Sequence, residues 1–377
     1  MEIDTYNDFQ RDLQELNSFQ HFMNFKRIAQ IAARPIPSYS VRKFKGGGRR
    51  FNPLQDLEEN EFRHSYRYSK ENMRRLIEMV RDDLEVETHS ELRKNQVPVD
   101  KQIMLAVRYW GMTEHPDVTA RLHGVSLRTL MKISKRVAEA LAAKTSRYIR
   151  MPCLLAEKEK VTQAFYRLAH MPQVIGAVAH SRVKCKRLQH QDGDCKEDDS
   201  MHIQIVSDAS LKIRDIDCRL VTLQDPVTAA DLFSQTRIKE RFEQTEFRGR
   251  ILLGDSTLHC TSFLYTPVSC AISGPEQSFN HSLRLTYEPV RQCFKLWKER
   301  FGILSCELRG SVATARHIIV GSALLHNMAI EWNDPTFAEF QNSLLGLDKS
   351  VIEDLQKSTD IRGRTEFIKN HFFVPVN

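Results

Sequence analysis

Eight cysteines, at positions 153, 185, 195, 218, 260, 270, 293 and 306, never fall into a C-x-x-C pair, so neither a zinc ribbon nor a redox dithiol is indicated. Apolar runs are short as well. None approaches the ~20 residues that a membrane helix needs, so no membrane partner is expected. The opening residues, MEIDTYNDFQRDLQ, lack the basic-then-apolar layout of a secretory signal. The expected location is therefore the nucleus, with the cytoplasm also open. In such reducing compartments the cysteines serve as small hydrophobes or free thiols. An excess of acid is missing too: 55 Lys and Arg stand against 48 Asp and Glu, a net charge of +7. That balance suits nucleic acid without demanding it. What is plentiful is hydrophobic residue, 41% of 377, more than one core usually needs.

Four regions are expected: a polar basic tail over 1–55, a helical region over 56–150, a mixed region over 151–335 and a tail over 336–377. The first tail ends in VRKFKGGGRR, where Arg42, Lys43, Lys45, Arg49 and Arg50 surround three glycines. A basic arm on DNA phosphates or an import signal, and a solvated flexible linker, remain equally open. Residues 61–84 read as a helix with Ser69 as N-cap and Met73, Leu76, Ile77 and Val80 as its apolar stripe. Residues 99–112, VDKQIMLAVRYWGM, read as another helix, with Ile103, Ala106, Val107 and Trp110 on one face.

The stretch DVTARLHGVSLRTLMKISKRVAEAL reads as helix, turn, helix. Gly124 supplies the turn and Ser126 the cap. Leu127, Leu130, Ile133, Val137 and Leu141 are expected inside, and Arg128, Lys132, Lys135 and Arg136 outside. Turn, cap and basic face coincide as in a helix-turn-helix with a basic recognition helix. DNA contact is therefore preferred over a bundle whose exposed face is incidentally basic.

From residue 151 onward strands enter. Buried strands are expected over 174–179, 202–208, 216–222 and 250–254, after a linking helix over 151–170. The loop over 183–200 holds His190, Asp192, Asp194 and Cys195, but their spacing fits no zinc pattern. The long stretch FNHSLRLTYEPVRQCFKLWKERF (279–301) reads as an amphipathic helix. Val290, Cys293, Phe294, Trp297 and Phe301 recur at helical spacing, and Arg291, Lys295, Lys298 and Arg300 are expected to face outward. A last apolar helix covers 313–333.

The order of these residue types resembles the PIF/Harbinger transposase family of DDE-type nucleases. Phe279, Asn280, Thr286, Val290, Phe294, Lys298, Arg300 and Phe301 match that family's last helix without a gap. Gly254-Asp255-Ser256 with Thr266-Pro267 matches its G-D-S…T-P strand and loop, and Leu324-Leu325-His326-Asn327 its V-L-H-N signature. The N-terminal helices and the helix-turn-helix have counterparts in it as well. Resemblance spans roughly residues 60–333 and implies an α+β fold: a helical N-terminal unit followed by a ribonuclease-H-like DDE domain.

The resemblance also implies a site, and here the chain departs from it. Such nucleases hold two divalent metals, usually magnesium, between three carboxylates. Asp255 matches the second of these. Ala179 stands where the first Asp belongs, and Arg291 where the Glu belongs. Three carboxylates, a formal −3, become one carboxylate, one methyl and one guanidinium, a formal 0. Each unit charge at close range is worth on the order of a few kcal/mol, so metal binding should be lost. Asp255 is then a remnant, with Arg291 expected to pair with it. Glu288, about one turn from Arg291, and Asp208, on a neighbouring hairpin and expected to be structural, are the candidates for a rearranged site.

The preferred expectation is a domesticated, catalytically inactive transposase-derived protein that binds DNA or chromatin in the nucleus and needs no cofactor. By resemblance it would work with a protein partner such as a Myb/SANT- or MADF-type DNA-binding protein, and with no small-molecule substrate. The alternatives are an active Mg2+- or Mn2+-dependent endonuclease, with Asp255 as a metal ligand, and a protein-binding scaffold.

Overall fold

The computed structural model describes residues 51–85, 97–111, 113–186, 199–222, 227–336 and 362–372. Residues 53–377 make one compact unit, and Met1–Asn52 is assigned to another. The basic arm at Arg42, Lys43, Lys45, Arg49 and Arg50, and the loop positions His190, Asp192, Asp194 and Cys195, lie outside the described residues.

The chain enters through α1 (Glu59–Tyr66) and α2 (Lys70–Glu85). These are two helices where one was expected. Arg67 breaks the run by adopting a left-handed conformation, φ 62°, and its guanidinium donates twice to the Gly111 carbonyl. Ser69 still caps α2, accepting from Asn72 N at 3.2 Å. The buried Asp334 carboxylate reinforces that cap by accepting from Ser69 N, Ser69 Oγ and Asn72 Nδ2. α3 (Val99–Gly111) is buried nearly all round, as a helix in the middle of a bundle must be.

α4 (Pro116–Leu122) and α5 (Leu127–Ala142) follow. Gly124 joins them at φ 62°, a conformation cheap only for glycine. Ser126 caps α5 by accepting from Thr129 N at 3.1 Å. Leu130, Ile133, Val137 and Leu141 are buried as the spacing predicts, while Leu127, in the first turn beyond the reach of the core, is 38% exposed.

α6 (Leu155–Ala169) leads into the sheet. β1 (Val174–Lys186) pairs antiparallel with β2 (Ser200–Ser207), which pairs antiparallel with β3 (Ile213–Val221). The short helices α7 (Ala229–Ser234) and α8 (Arg237–Glu243) intervene before β4 (Ile251–Leu253). β4 lies parallel to β1 on its other side, and β5 (Leu264–Tyr265) parallel to β4. The order is β3-β2-β1-β4-β5, with β6 (Leu308–Arg309) paired to the far end of β1. This is a mixed α+β sheet of ribonuclease-H-like type. β1 runs to Lys186, so it includes residues that the 183–200 loop was expected to hold.

α9 (Gly274–Arg300) and α10 (Val312–Glu331) cover one face of the sheet. Paired strand residues on that face are apolar, as in Ala179, Ile205 and Ile216. α10 also lies along α5, so helices and sheet share one core. Two cations expected outside on α9 turn inward. Arg300 is 1% exposed, stacked on the Tyr68 ring at 4.4 Å and donating to the Arg67 carbonyl at 2.5 Å. Lys298 is half-buried and donates to the Ser181 hydroxyl on β1. In both cases the long apolar stem packs while the head finds a carbonyl or hydroxyl. Within the 336–377 stretch, α11 (Arg362–Phe372) docks on the sheet edge, where Arg364 donates to the Thr266 and Pro267 carbonyls.

Asp334 joins the end of α10 to the start of α2. Replacing it with Ala leaves buried donors without an acceptor, which costs roughly 3 kcal/mol. The D334A variant should show that loss as a lower urea midpoint with an unchanged dependence on urea concentration.

Candidate functional site

β1, β4 and α9 converge around Asp255. Ala177 of β1 pairs with Leu253 of β4, so Asp255 follows the strand end beside the middle of β1. Gly254 packs tightly there: a Cβ would lie 2.9 Å from Leu258 Cδ1, at the end of a side chain that would have to shift. Ala179 is buried in the middle of β1.

The contact between α9 and this point is made by Tyr287. Its buried hydroxyl donates to the Val178 carbonyl at 2.8 Å and reaches Asp255 Oδ2 at 3.3 Å. Asp255 Oδ1 accepts from Thr257 N at 3.0 Å and from the Thr257 hydroxyl. Asp255 is half-buried, with Thr257 at an exposed position on Oδ1 and the Tyr287 hydroxyl, shared with Val178, on Oδ2. Arg291 does not form the expected ion pair with Asp255. It is exposed, and its guanidinium lies over the Tyr287 ring at 5.5 Å. Tyr287, one turn earlier on the helix, takes the place beside the carboxylate. Sequence reasoning overlooked it because an isolated tyrosine on a buried stripe reads as core.

The candidates for a rearranged site are Asp208 and Glu288. Asp208 closes the β2–β3 hairpin: Oδ1 accepts from Ser210 N and Lys212 N, and Oδ2 from Arg214 Nε at 2.7 Å. Glu288 is exposed on α9. Among the described residues no group of three or more His, Cys, Asp or Glu is arranged to hold a metal ion. A hard divalent cation wants several oxygens and net negative charge. One engaged carboxylate, a methyl and a guanidinium do not fit it.

The opposite face of the same strands carries a polar group. His180 and His202 are bonded ring to ring, Nδ1 to Nε2, at 2.8 Å, next to the buried Gln204. Burial lowers both imidazoles to about 4, so they stay neutral near pH 7. His326 is also fully buried, lowered to about 4, and bonded to the Leu211 carbonyl at 2.9 Å. Its neighbour Asn327 accepts from Ile213 N and donates to the Ile213 and Tyr148 carbonyls, which makes this pair a clasp between α10 and β3.

Of the basic positions on α5, Arg128, Lys132 and Lys135 are exposed. Lys135 makes only a long surface pair with Glu139, 3.8 Å, which is worth little. Arg136 does not face outward. It donates to the Leu84 carbonyl and to Gln102 Oε1, tying α5 to α2 and α3. Arg136 is one residue from the buried Val137, and its stem follows the core.

Residues 183–327 match the family model described as DDE superfamily endonuclease. Over most of its length the chain is similar to curated proteins named "Putative nuclease HARBI1". It is 25% identical to the one from Rattus norvegicus over 331 residues, 85% of this chain and 92% of the relative. It is 24% identical to the one from Homo sapiens over 294 residues, 75% and 82% respectively. No solved structure matches it significantly. Among the described residues no helix is long and apolar enough to cross a membrane.

The neutral histidines set a pH dependence. His123, lowered to about 3 by burial, joins His180, His202 and His326. Between their folded values and the ordinary value near 6.5 the unfolded chain binds more protons than the folded one. Stability must then fall as pH drops from 6.5 toward 4. Asp215, raised by burial to about 6, and Glu299, also raised by burial, act in the opposite sense, two groups against four. The urea midpoint should be lower at pH 5 than at pH 7; equal midpoints would refute the neutral buried imidazoles.

Proposed function

We propose that this chain is a domesticated, catalytically inactive member of the Harbinger-derived nucleases that acts in the nucleus by binding DNA together with a protein partner. The observation that carries this reading is the metal misfit. Ala179 offers no oxygen, both Asp255 oxygens are engaged by Thr257 and Tyr287, and Arg291 places a cation one turn along α9. Losing two of the three carboxylates, one of them to a cation, removes the means to activate water and stabilise the leaving oxygen.

DNA binding is supported by α4 and α5. Their glycine turn and serine cap give the layout of a helix-turn-helix, and α5 offers Arg128, Lys132 and Lys135 to solvent. Arg136 is no longer counted among the contacts, since its donors are used inside. The basic arm at 42–50 adds phosphate contacts and nuclear import in this reading. The partner is a Myb/SANT- or MADF-type DNA-binding protein, by resemblance to family members that work with one.

Magnesium or manganese should leave the melting temperature unchanged, because only a ligand that binds the folded state raises it. No metal-dependent cleavage of plasmid DNA should appear. Magnesium-dependent nicking by the unmodified chain, abolished by D255A, would overturn the reading in favour of an active endonuclease. The A179D/R291E double variant should gain a metal-induced rise in melting temperature.

Duplex binding should weaken steeply with salt. In the R128A/K132A/K135A variant the log–log salt slope should become shallower by about 2.7, three phosphate contacts at roughly 0.9 each. An unchanged slope would move the contact off α5.

A further inference from the structure

The departure from the metal site leaves more than a loss, because the side of α9 that bounds it now carries cations. Tyr287 and Lys298 both reach β1, at Val178 and Ser181. Arg291 stands between them along the helix. Seven residues separate Arg291 from Lys298, so they lie on nearly the same side and about 10 Å apart along the axis.

Neither cation is neutralised by a carboxylate among the described residues. The Arg291 guanidinium rests on the Tyr287 ring and is otherwise exposed. The Lys298 ammonium is half-buried, donates to a neutral hydroxyl, and has its pKa lowered by burial alone. A partly desolvated cation held only by a neutral acceptor is costly until an anion meets it. Of the carboxylates near by, Glu299, next to Lys298 in the chain, interacts with Lys295 and Arg67. Asp255 is engaged by Thr257 and Tyr287, and Glu288 is exposed and forms no ion pair with Arg291.

We infer that Arg291 and Lys298 form a direct seat for the phosphodiester backbone of a DNA strand, with no metal ion between protein and phosphate. The inference rests on the inactive DNA-binding reading and names a second contact surface for it, separate from α5. Arg291 supplies a planar fork that suits a phosphate bidentately. Lys298 supplies a point charge whose bond to Ser181 holds it in place.

The test is fluorescence anisotropy of a labelled DNA duplex with the full chain, titrated across salt in EDTA. The unmodified chain should bind in EDTA. R291Q/K298M should make the log–log salt slope shallower by about 1.8, two contacts at roughly 0.9 each. R291Q alone, at an exposed position where folding is not at stake, should carry half of that change. S181A keeps the Lys298 charge and should keep the slope. An unchanged slope in R291Q and in a folded R291Q/K298M would overturn this seat and leave the α5 surface and the inactive reading standing. Binding abolished by EDTA, or cleavage on adding magnesium, would instead overturn the inactive reading itself, and the seat with it.

Discussion

A single hydroxyl holds the centre of this molecule together. Tyr287 bonds the Val178 carbonyl of β1 and reaches the Asp255 carboxylate at the end of β4. It thereby fixes α9 against the two strands that form the middle of the sheet. Further along the same helix, Lys298 reaches Ser181 and Arg300 reaches the Arg67 carbonyl. Near its start, Ser282 donates to the Ala169 carbonyl at 2.5 Å. A helix anchored at four points has one position, and that position decides which side chains face the site.

The same bonds account for how the helices before the sheet stay attached to it. Arg300 stacks on Tyr68, the Tyr68 hydroxyl donates to the Leu325 carbonyl, and Asp334 caps α2. Each is a polar contact inside an otherwise apolar seam, where an unmet group is expensive. Such contacts fix register more than they add stability. They explain why cations that look like surface residues on a helical wheel lie inside.

Function follows from charge at one place. A nuclease of this class draws two metals with three carboxylates. Here the only carboxylate retained is hydrogen-bonded on both oxygens, and the nearby cations Arg291 and Lys298 belong to the protein rather than to metals. The sheet and the helix survive because their packing does not depend on the ligands. Ala179 suits a buried strand at least as well as the aspartate it replaces, since it buries no charge. Arg291 sits where its charge stays in water, over an aromatic face that tolerates a cation.

Much of this was legible in the chain itself, because local rules govern it. The four strands, the Gly124 turn, the Ser126 cap and the long α9 follow from alternation, helical spacing and turn chemistry. The G-D-S…T-P order and the L-L-H-N end carry the resemblance to the DDE family, and with it the expected departures at 179 and 291. What spacing could not reveal was which partner each polar head would find. Tyr287 rather than Arg291 sits beside Asp255, Arg136 points at Leu84, and Arg300 lies beneath Tyr68. Those choices join residues far apart in the chain. They are decided by how the helices and sheet come together, since a long side chain buries its stem wherever the core allows and places its charge on the nearest acceptor.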